Sequence, residues 1–233
     1  MSRHSGNKLS GASGHELKVV VLGDSRVGKT SLVLRYISGV FNPDQVSTIG
    51  AFFLTKKVVL DNGLTIKMNL WDTAGQEKFR SMAPMYYRNA DAAVVCFDVT
   101  KEESFVKMKD WVDELRNSSK PENAPVLAIV ANKVDCPPAQ REVSRARSEE
   151  YAALLGGAIF VETSAKEDIG IKELFQLVSQ RMWDQKVASL VLAKPGGGGG
   201  KKDGTGTGAF KVTHAPPVVL GPTGGADKKS KCC

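Results

Sequence analysis

The chain has 233 residues, room for one substantial domain with extensions, and a formal net charge of +7. That charge does not describe a nucleic-acid-binding face: residues 1–15 carry two of the excess positive charges and residues 187–233 carry five, leaving 16–186 nominally neutral. No apolar run approaches the ~20 residues of a membrane span, the polar N-terminus lacks a secretory signal's apolar core, and four cysteines do not suggest a disulfide framework.

Residues 1–15 are rich in Ser and Gly without periodicity and read as a flexible arm. The apolar, β-branched run 17–22 predicts a buried strand, and 31–37 predicts a helix. Between them stands Gly23-Asp24-Ser25-Arg26-Val27-Gly28-Lys29-Thr30, a complete G-x-x-x-x-G-K-[ST] loop. A polyphosphate needs many N–H donors at close range, so Gly23 and Gly28 let the backbone wrap the anion where a Cβ would intrude. The expected cradle runs through Asp24, Ser25, Arg26, Val27, Gly28, Lys29, Thr30 and Ser31, with the helix N-terminus facing the phosphates. Lys29 adds a point charge on the β/γ-phosphates, and the Thr30 hydroxyl supplies a ligand for Mg²⁺.

Farther along, strands are expected over 51–60 and 64–71, joined through Asp61-Asn62-Gly63, in which Asn-Gly is a hairpin signal. The runs 92–97, 126–131 and 158–161 are continuously apolar, as parallel strands covered on both faces are. Helical stripes follow over 104–116, through Phe105, Met108, Trp111, Val112 and Leu115, and over 148–155, with Tyr151, Leu154 and Leu155 inward. A third, over 171–187, turns Leu174, Phe175, Leu177, Val178, Met182 and Val187 to the sheet. Alternating strands and helices imply an α/β fold: a mostly parallel sheet with one antiparallel edge hairpin and helices on both faces. Cys96 reads as a small core residue and Cys136 as a free thiol of a reducing cytosol. From residue 194 onward, Pro195 and five glycines lead into a Gly/Pro/Thr/Lys mixture that cannot bury enough apolar surface to fold. Residues 194–233 are therefore expected to be a tether and 16–193 the folded domain.

A phosphate loop alone leaves kinases, ATPases and GTPases open. Trp71-Asp72-Thr73-Ala74-Gly75-Gln76-Glu77 follows the second hairpin strand, so Asp72 is placed to bind Mg²⁺ through water, the Gly75 N–H to touch a γ-phosphate and Gln76 to orient an attacking water. Asn132-Lys133-Val134-Asp135 follows the run 126–131. A carboxylate there accepts both N1–H and the exocyclic amine of guanine, whereas adenine has no donor at N1 and would leave the acid unpaired. Glu162-Thr163-Ser164-Ala165-Lys166 follows the last strand, where the Ala165 amide reads guanine O6 and Lys166 lies along the ring. Asn132-Lys133-Val134-Asp135 or Ser164-Ala165-Lys166 alone is weak. In this order, each at a strand end, they select GTP and GDP with Mg²⁺.

These residues resemble the Ras superfamily and, within it, the Rab family, over about residues 16–190. The resemblance implies the P-loop small-GTPase fold. It matches Phe41 to the aromatic that stacks on guanine and Thr48 to the threonine that closes on Mg²⁺ and the γ-phosphate. Rab-like marks are Ile49-Gly50-Ala51-Phe52-Phe53, the Trp71–Arg80 segment and Tyr86-Tyr87-Arg88, and Phe53, Trp71 and Tyr86 match an aromatic triad that effectors read. Ala83-Pro84-Met85-Tyr86-Tyr87-Arg88 and the Ile49-Gly50-Ala51 opening are most similar to the early-endosomal branch. The resemblance further implies an exchange factor, a GAP, a GDP-dissociation inhibitor and a Rab escort protein as partners. Two positions depart from the pattern. Arg26 replaces a small loop residue and reads either as a solvated side chain, as a cis Arg near the γ-phosphate, or as interference with a GAP. Ala131 replaces a Gly and adds one methyl behind the base site.

The terminal Cys232-Cys233 resembles the Rab double-geranylgeranylation signal and is not a C-a-a-X box. Two lipids anchor stably where one short chain is marginal, and Lys228, Lys229 and Lys231 would add roughly 1 kcal/mol each on an anionic leaflet. The expected location is the cytoplasmic face of intracellular membranes, with a soluble pool. Two alternatives remain at this stage: a nucleotide-dependent scaffold that does not hydrolyse, supported by Arg26 and opposed by Gln76, and an ATP-dependent kinase or ATPase, opposed by Asn132 and Asp135.

Overall fold

The computed structural model describes residues 15–120 and 124–192. The tether expected over 194–233, with Cys232 and Cys233, and all but the last residue of the expected N-terminal arm lie outside the described residues. Among the described residues there are six strands and five α-helices, in the order β1 (His15–Leu22), α1 (Lys29–Ser38), β2 (Ala51–Val59), β3 (Thr65–Thr73), α2 (Ala83–Tyr87), β4 (Ala92–Asp98), α3 (Glu102–Ser118), β5 (Val126–Asn132), α4 (Arg145–Leu154), β6 (Ile159–Thr163) and α5 (Ile171–Leu192). The sheet order is β2-β3-β1-β4-β5-β6, and only the β2–β3 pair is antiparallel. β1 starts at His15, one residue inside the segment read as an arm.

Side-chain alternation along the strands builds two cores. Val19 and Val21 of β1 turn to one face, which α1 and α5 cover with Leu32, Val33, Leu174, Phe175 and Val178. Val20 and Leu22 turn to the other, where Phe105, Met108, Trp111, Val112 and Leu115 of α3 pack. Phe175 and Phe105 are fully buried, and truncating either to Ala would cost about 3–5 kcal/mol. Between β2 and β3, Leu60 and Leu64 still pair and leave Asp61-Asn62-Gly63 as a three-residue loop. Gly63 N–H donates to Leu60 O at 2.9 Å, Leu60 N–H donates to Leu64 O at 2.8 Å, and Gly63 alone of the three takes positive φ, 79°. That is a turn closed by a left-handed glycine, the form in which a glycine ends a bulged hairpin.

Two helix faces differ from expectation. On α4 the buried residues are Ser148 and Ala152, whereas Leu154 is 77% exposed. The helix packs through small residues at i, i+4, and Leu154 falls on the opposite side. α5 runs five residues past the expected end, and Val187 is 39% exposed because the helix has by then passed Met182, the last of its buried contacts. The 3₁₀ segment Glu77–Met82 and the short α2 lie outside the predicted elements; α2 is only five residues long, and its Ala83, Tyr86 and Tyr87 are buried at i, i+3, i+4. Among the described residues no helix is long and apolar enough to cross a membrane.

Candidate functional site

Because β1, β3, β4, β5 and β6 run parallel, their C-terminal ends share one edge of the sheet, and chain order reverses about β1. Such a reversal opens a crevice at that edge. Here it is a cleft of about 790 Å³, lined by Ser25, Arg26, Gly28, Lys29, Thr30, Ser31, Phe41, Thr48, Gly75, Gln76, Asn132, Lys133, Asp135, Ala165 and Lys166. Asp24 and Val27 line an adjoining cavity of about 400 Å³ that shares Ser25, Arg26 and Gln76. Residues dispersed over 140 positions of sequence thus meet on one surface.

The phosphate loop is held from behind. Gly23 and Gly28 take φ of 135° and 96°, and a Cβ on Gly23 would collide with the Cys96 carbonyl, one on Gly28 with the Asn132 amide. Asn132 Nδ2 donates to Val27 O at 2.8 Å and itself accepts from Thr163 Oγ1 at 3.0 Å. Lys133 Nζ donates to Arg26 O at 2.9 Å and pairs with Asp98 Oδ2 at 2.6 Å. Arg26 holds φ 63°, a left-handed conformation that costs an L-residue about 1–2 kcal/mol; the Lys133 bond to its carbonyl helps hold that turn. Arg26 is exposed at the cleft wall, and Ala131 is buried in the α3-side core. Asn132 and Lys133 therefore brace the loop with their polar atoms.

Lys29 is 5% exposed, and its Nζ donates to Gly23 O at 2.9 Å and Asp24 O at 2.8 Å. Burial pushes its pKa down, opposed by Asp72 and Asp24 nearby. Thr30 Oγ1 donates to Asp72 Oδ2 at 2.6 Å and lies 2.7 Å from Thr48 Oγ1. Asp72 is 1% exposed, burial raises its pKa, and its Oδ1 is buried with no hydrogen-bond partner. Two hydroxyls and a carboxylate oxygen left without a partner are hard oxygen donors of the kind Mg²⁺ takes, alongside water and phosphate. The residues present fit that ion, and Thr30, Thr48 and Asp72 are the ones that would hold it.

The base side gathers separately. Ser164 Oγ donates to Asp135 Oδ1 at 2.6 Å and accepts from Glu167 N at 3.0 Å, and Lys166 Nζ lies 3.9 Å from Asp135 Oδ2. Ser164 sits behind the cleft wall and aims the carboxylate. Beside the cleft, Phe53 meets Trp71 edge-on with ring centres 5.2 Å apart, and Trp71 lies 6.3 Å from Tyr86. Phe53 is 53% exposed and Tyr86 only 9%, so the triad presents mainly Phe53 to solvent, while Phe52, next to it in β2, is exposed on the opposite face.

Sequence reading did not single out Asp98, Thr163 or Lys107. Asp98 is a buried carboxylate at a strand end, which is a usable signal. Lys107, 3.2 Å from Asp24 Oδ2, carries none, because its position beside the loop depends on how α3 packs.

The family model for the Ras family matches residues 18–184. The chain is 48% identical over 218 residues to Ras-related protein Rab-22A of Homo sapiens, covering 94% of this chain and 98% of that protein. It is 41% identical over 218 residues to Ras-related protein Rab-5A of Dictyostelium discoideum, covering 94% and 96%. It is also 45% identical over 165 residues to GTP-binding protein ypt5 of Schizosaccharomyces pombe, covering 71% and 77%.

Proposed function

The chain belongs to the Ras family and, within it, to the Rab GTPases, and from that premise we propose that it is a prenylated, membrane-tethered switch of vesicle traffic on early endosomes. The observation that carries the reading is the meeting, in one cleft, of a glycine-braced phosphate loop, a Thr30–Asp72–Thr48 oxygen cluster and an aimed carboxylate at Asp135.

The phosphate loop and the buried Lys29 cation bind the polyphosphate. Lys29 is already desolvated and held by two carbonyls, so little reorganisation accompanies binding. Thr30, Thr48 and Asp72 would hold Mg²⁺, which would supply positive charge against the phosphates. Asp135 accepts from N1–H and the exocyclic amine of guanine, the Ala165 amide reads O6, and Phe41 and Lys166 line the two sides of the base. Thr48 and Gly75 contact the third phosphate only in the GTP state, so an effector that binds the ordered segments discriminates GTP from GDP by population shift. Gln76 lines the cleft at its junction with the adjoining cavity and orients the attacking water; hydrolysis then releases Thr48 and Gly75.

Phe53, Trp71 and Tyr86 form the effector-reading surface. Family resemblance supplies the remaining partners: an exchange factor, a GAP, a GDP-dissociation inhibitor and a Rab escort protein. The early-endosomal assignment rests on the hexapeptide Ala83-Pro84-Met85-Tyr86-Tyr87-Arg88.

Two experiments test this. Gln76→Leu is expected to leave GTP and GDP affinity intact and to slow single-turnover hydrolysis at least about tenfold, more in the presence of a GAP. Wild-type turnover in that variant removes Gln76 from the reaction. Deleting Cys232 and Cys233 is expected to move the protein from the membrane fraction to the cytosol with nucleotide binding unchanged, because none of the residues lining the cleft lies in the Gly-rich C-terminal sequence. An unmodified C-terminal peptide by mass analysis, or full membrane retention without both cysteines, overturns the anchor.

A further inference from the structure

We propose that Arg35 is a positioning residue for base selectivity, one guanidinium setting the separation between the base-reading loop and Phe41. The inference rests on the reading of Asp135, Ala165 and Phe41 as base contacts. Arg35 lies on α1 three residues after Leu32, which with Val33 is fully buried in the core, so its side chain departs from a fixed platform.

From there the guanidinium reaches three carbonyls. Nε donates to Ala165 O at 2.8 Å, Nη2 to Lys166 O at 2.8 Å, and Nη1 to Gly39 O at 2.7 Å. Its central carbon stands 5.8 Å from the centre of the Phe41 ring, at the outer reach of a cation–π contact. Gly39 is the left-handed residue that ends α1 and starts the chain toward Phe41. One planar fork therefore grips two successive peptide units of the loop that reads O6 and, with its third donor, the turn that delivers the stacking ring.

The planar geometry is what makes the arrangement specific. A guanidinium presents its donors at fixed angles, so three simultaneous bonds define both the orientation of the 165–167 peptides and their distance from Gly39. A lysine ammonium satisfies one carbonyl at a time as a point charge. With Arg35 removed, the loop keeps its own bonds, Ser164 N–H to Ile169 O and Ile169 N–H to Ser164 O, and loses its tie to α1. The consequence falls on the base. The Ala165 amide no longer stands at a fixed distance from guanine O6, and the contrast between an acceptor at that position in guanine and an amine in adenine weakens.

The test compares the full chain with Arg35→Met and Arg35→Lys, measuring release of bound GDP, the ratio of GDP to ADP affinity, and the thermal midpoint at saturating GDP. Arg35→Met is expected to speed GDP release about tenfold and to narrow the GDP-over-ADP ratio by a similar factor. Arg35→Lys should fall between Met and wild type on both readouts, and it carries the test if the Met variant does not fold. A merely structural role would lower the thermal midpoint and leave the ratio unmoved, and a ratio within twofold of wild type in the folded variants overturns the proposal. Asp135→Asn run alongside separates the two levels. If it leaves guanine affinity unchanged, the base reading itself falls; if it shifts preference to xanthine while the Arg35 variants keep the wild-type ratio, only the role of Arg35 does.

Discussion

Asp135→Asn should weaken GDP and GTP binding by roughly 30-fold to 2 × 10⁴-fold and reverse base preference toward xanthine nucleotides. In the structure Asp135 Oδ1 is occupied by the Ser164 hydroxyl at 2.6 Å, while Oδ2 has only the Lys166 ammonium, 3.9 Å away. An asparagine oxygen can still accept from Ser164, so the amide nitrogen takes the place of Oδ2. It is then a donor facing the N1–H and exocyclic amine of guanine, which are also donors. Two mispaired polar contacts in a partly enclosed site each cost about 1–3 kcal/mol, which sets the expected range. Xanthine carries an oxygen where guanine carries the amine, and the new amide pairs with it. Competition of GDP, XDP and ADP against a fluorescent guanine nucleotide measures the change; unaltered guanine affinity would mean that Asp135 does not read the base.

Gly75→Ala should block the GTP-induced conformation while sparing GDP. Gly75 does not need positive φ, so its requirement for glycine is one of space. A Cβ there would run into the Asp24 carbonyl and the Lys29 ammonium. One side must yield. The phosphate loop is the stiffer, since Gly23 is packed against the Cys96 carbonyl and the bonds from Asn132 and Lys133 hold Val27 and Arg26. The segment carrying Gly75 and Gln76 therefore withdraws, and overpacking of about 1–3 kcal/mol lowers the closed population by roughly 5–150-fold. GDP lacks the phosphate that Gly75 contacts, so its affinity should stay within about threefold. Hydrolysis and GTP-dependent effector capture should both fall at least about tenfold, read by single-turnover phosphate release and by pull-down with a GTP-specific effector. Wild-type hydrolysis would show that Gly75 need not approach the loop to act.

Much of this site was legible in the order of residues. The phosphate loop, Asp72, Gln76, Asp135 and Ala165 each follow an apolar run, and a parallel sheet places the ends of such runs on one edge; strand order then needs no further information to bring them together. The cores were legible for the same reason, because Val19 and Val21 against Val20 and Leu22 follow the period of a strand and Phe105 to Leu115 that of a helix. Leu154 shows where periodicity ends: Ser148 and Ala152 are the buried residues of α4, Tyr151 and Leu155 pack partly buried against the same core, and Leu154 falls outside that stripe. The sequence by itself determined the family, the strand ends that carry chemistry and the residue types that read phosphate, Mg²⁺ and guanine. Tertiary structure alone decided which groups brace those residues. Arg35 reaches the 165–166 carbonyls from about 130 positions away, Lys133 pairs with Asp98, and Thr163 orients Asn132. Those contacts cross from one element to another, where no spacing rule applies, and they arise only once buried side chains have set the distances between helices and sheet.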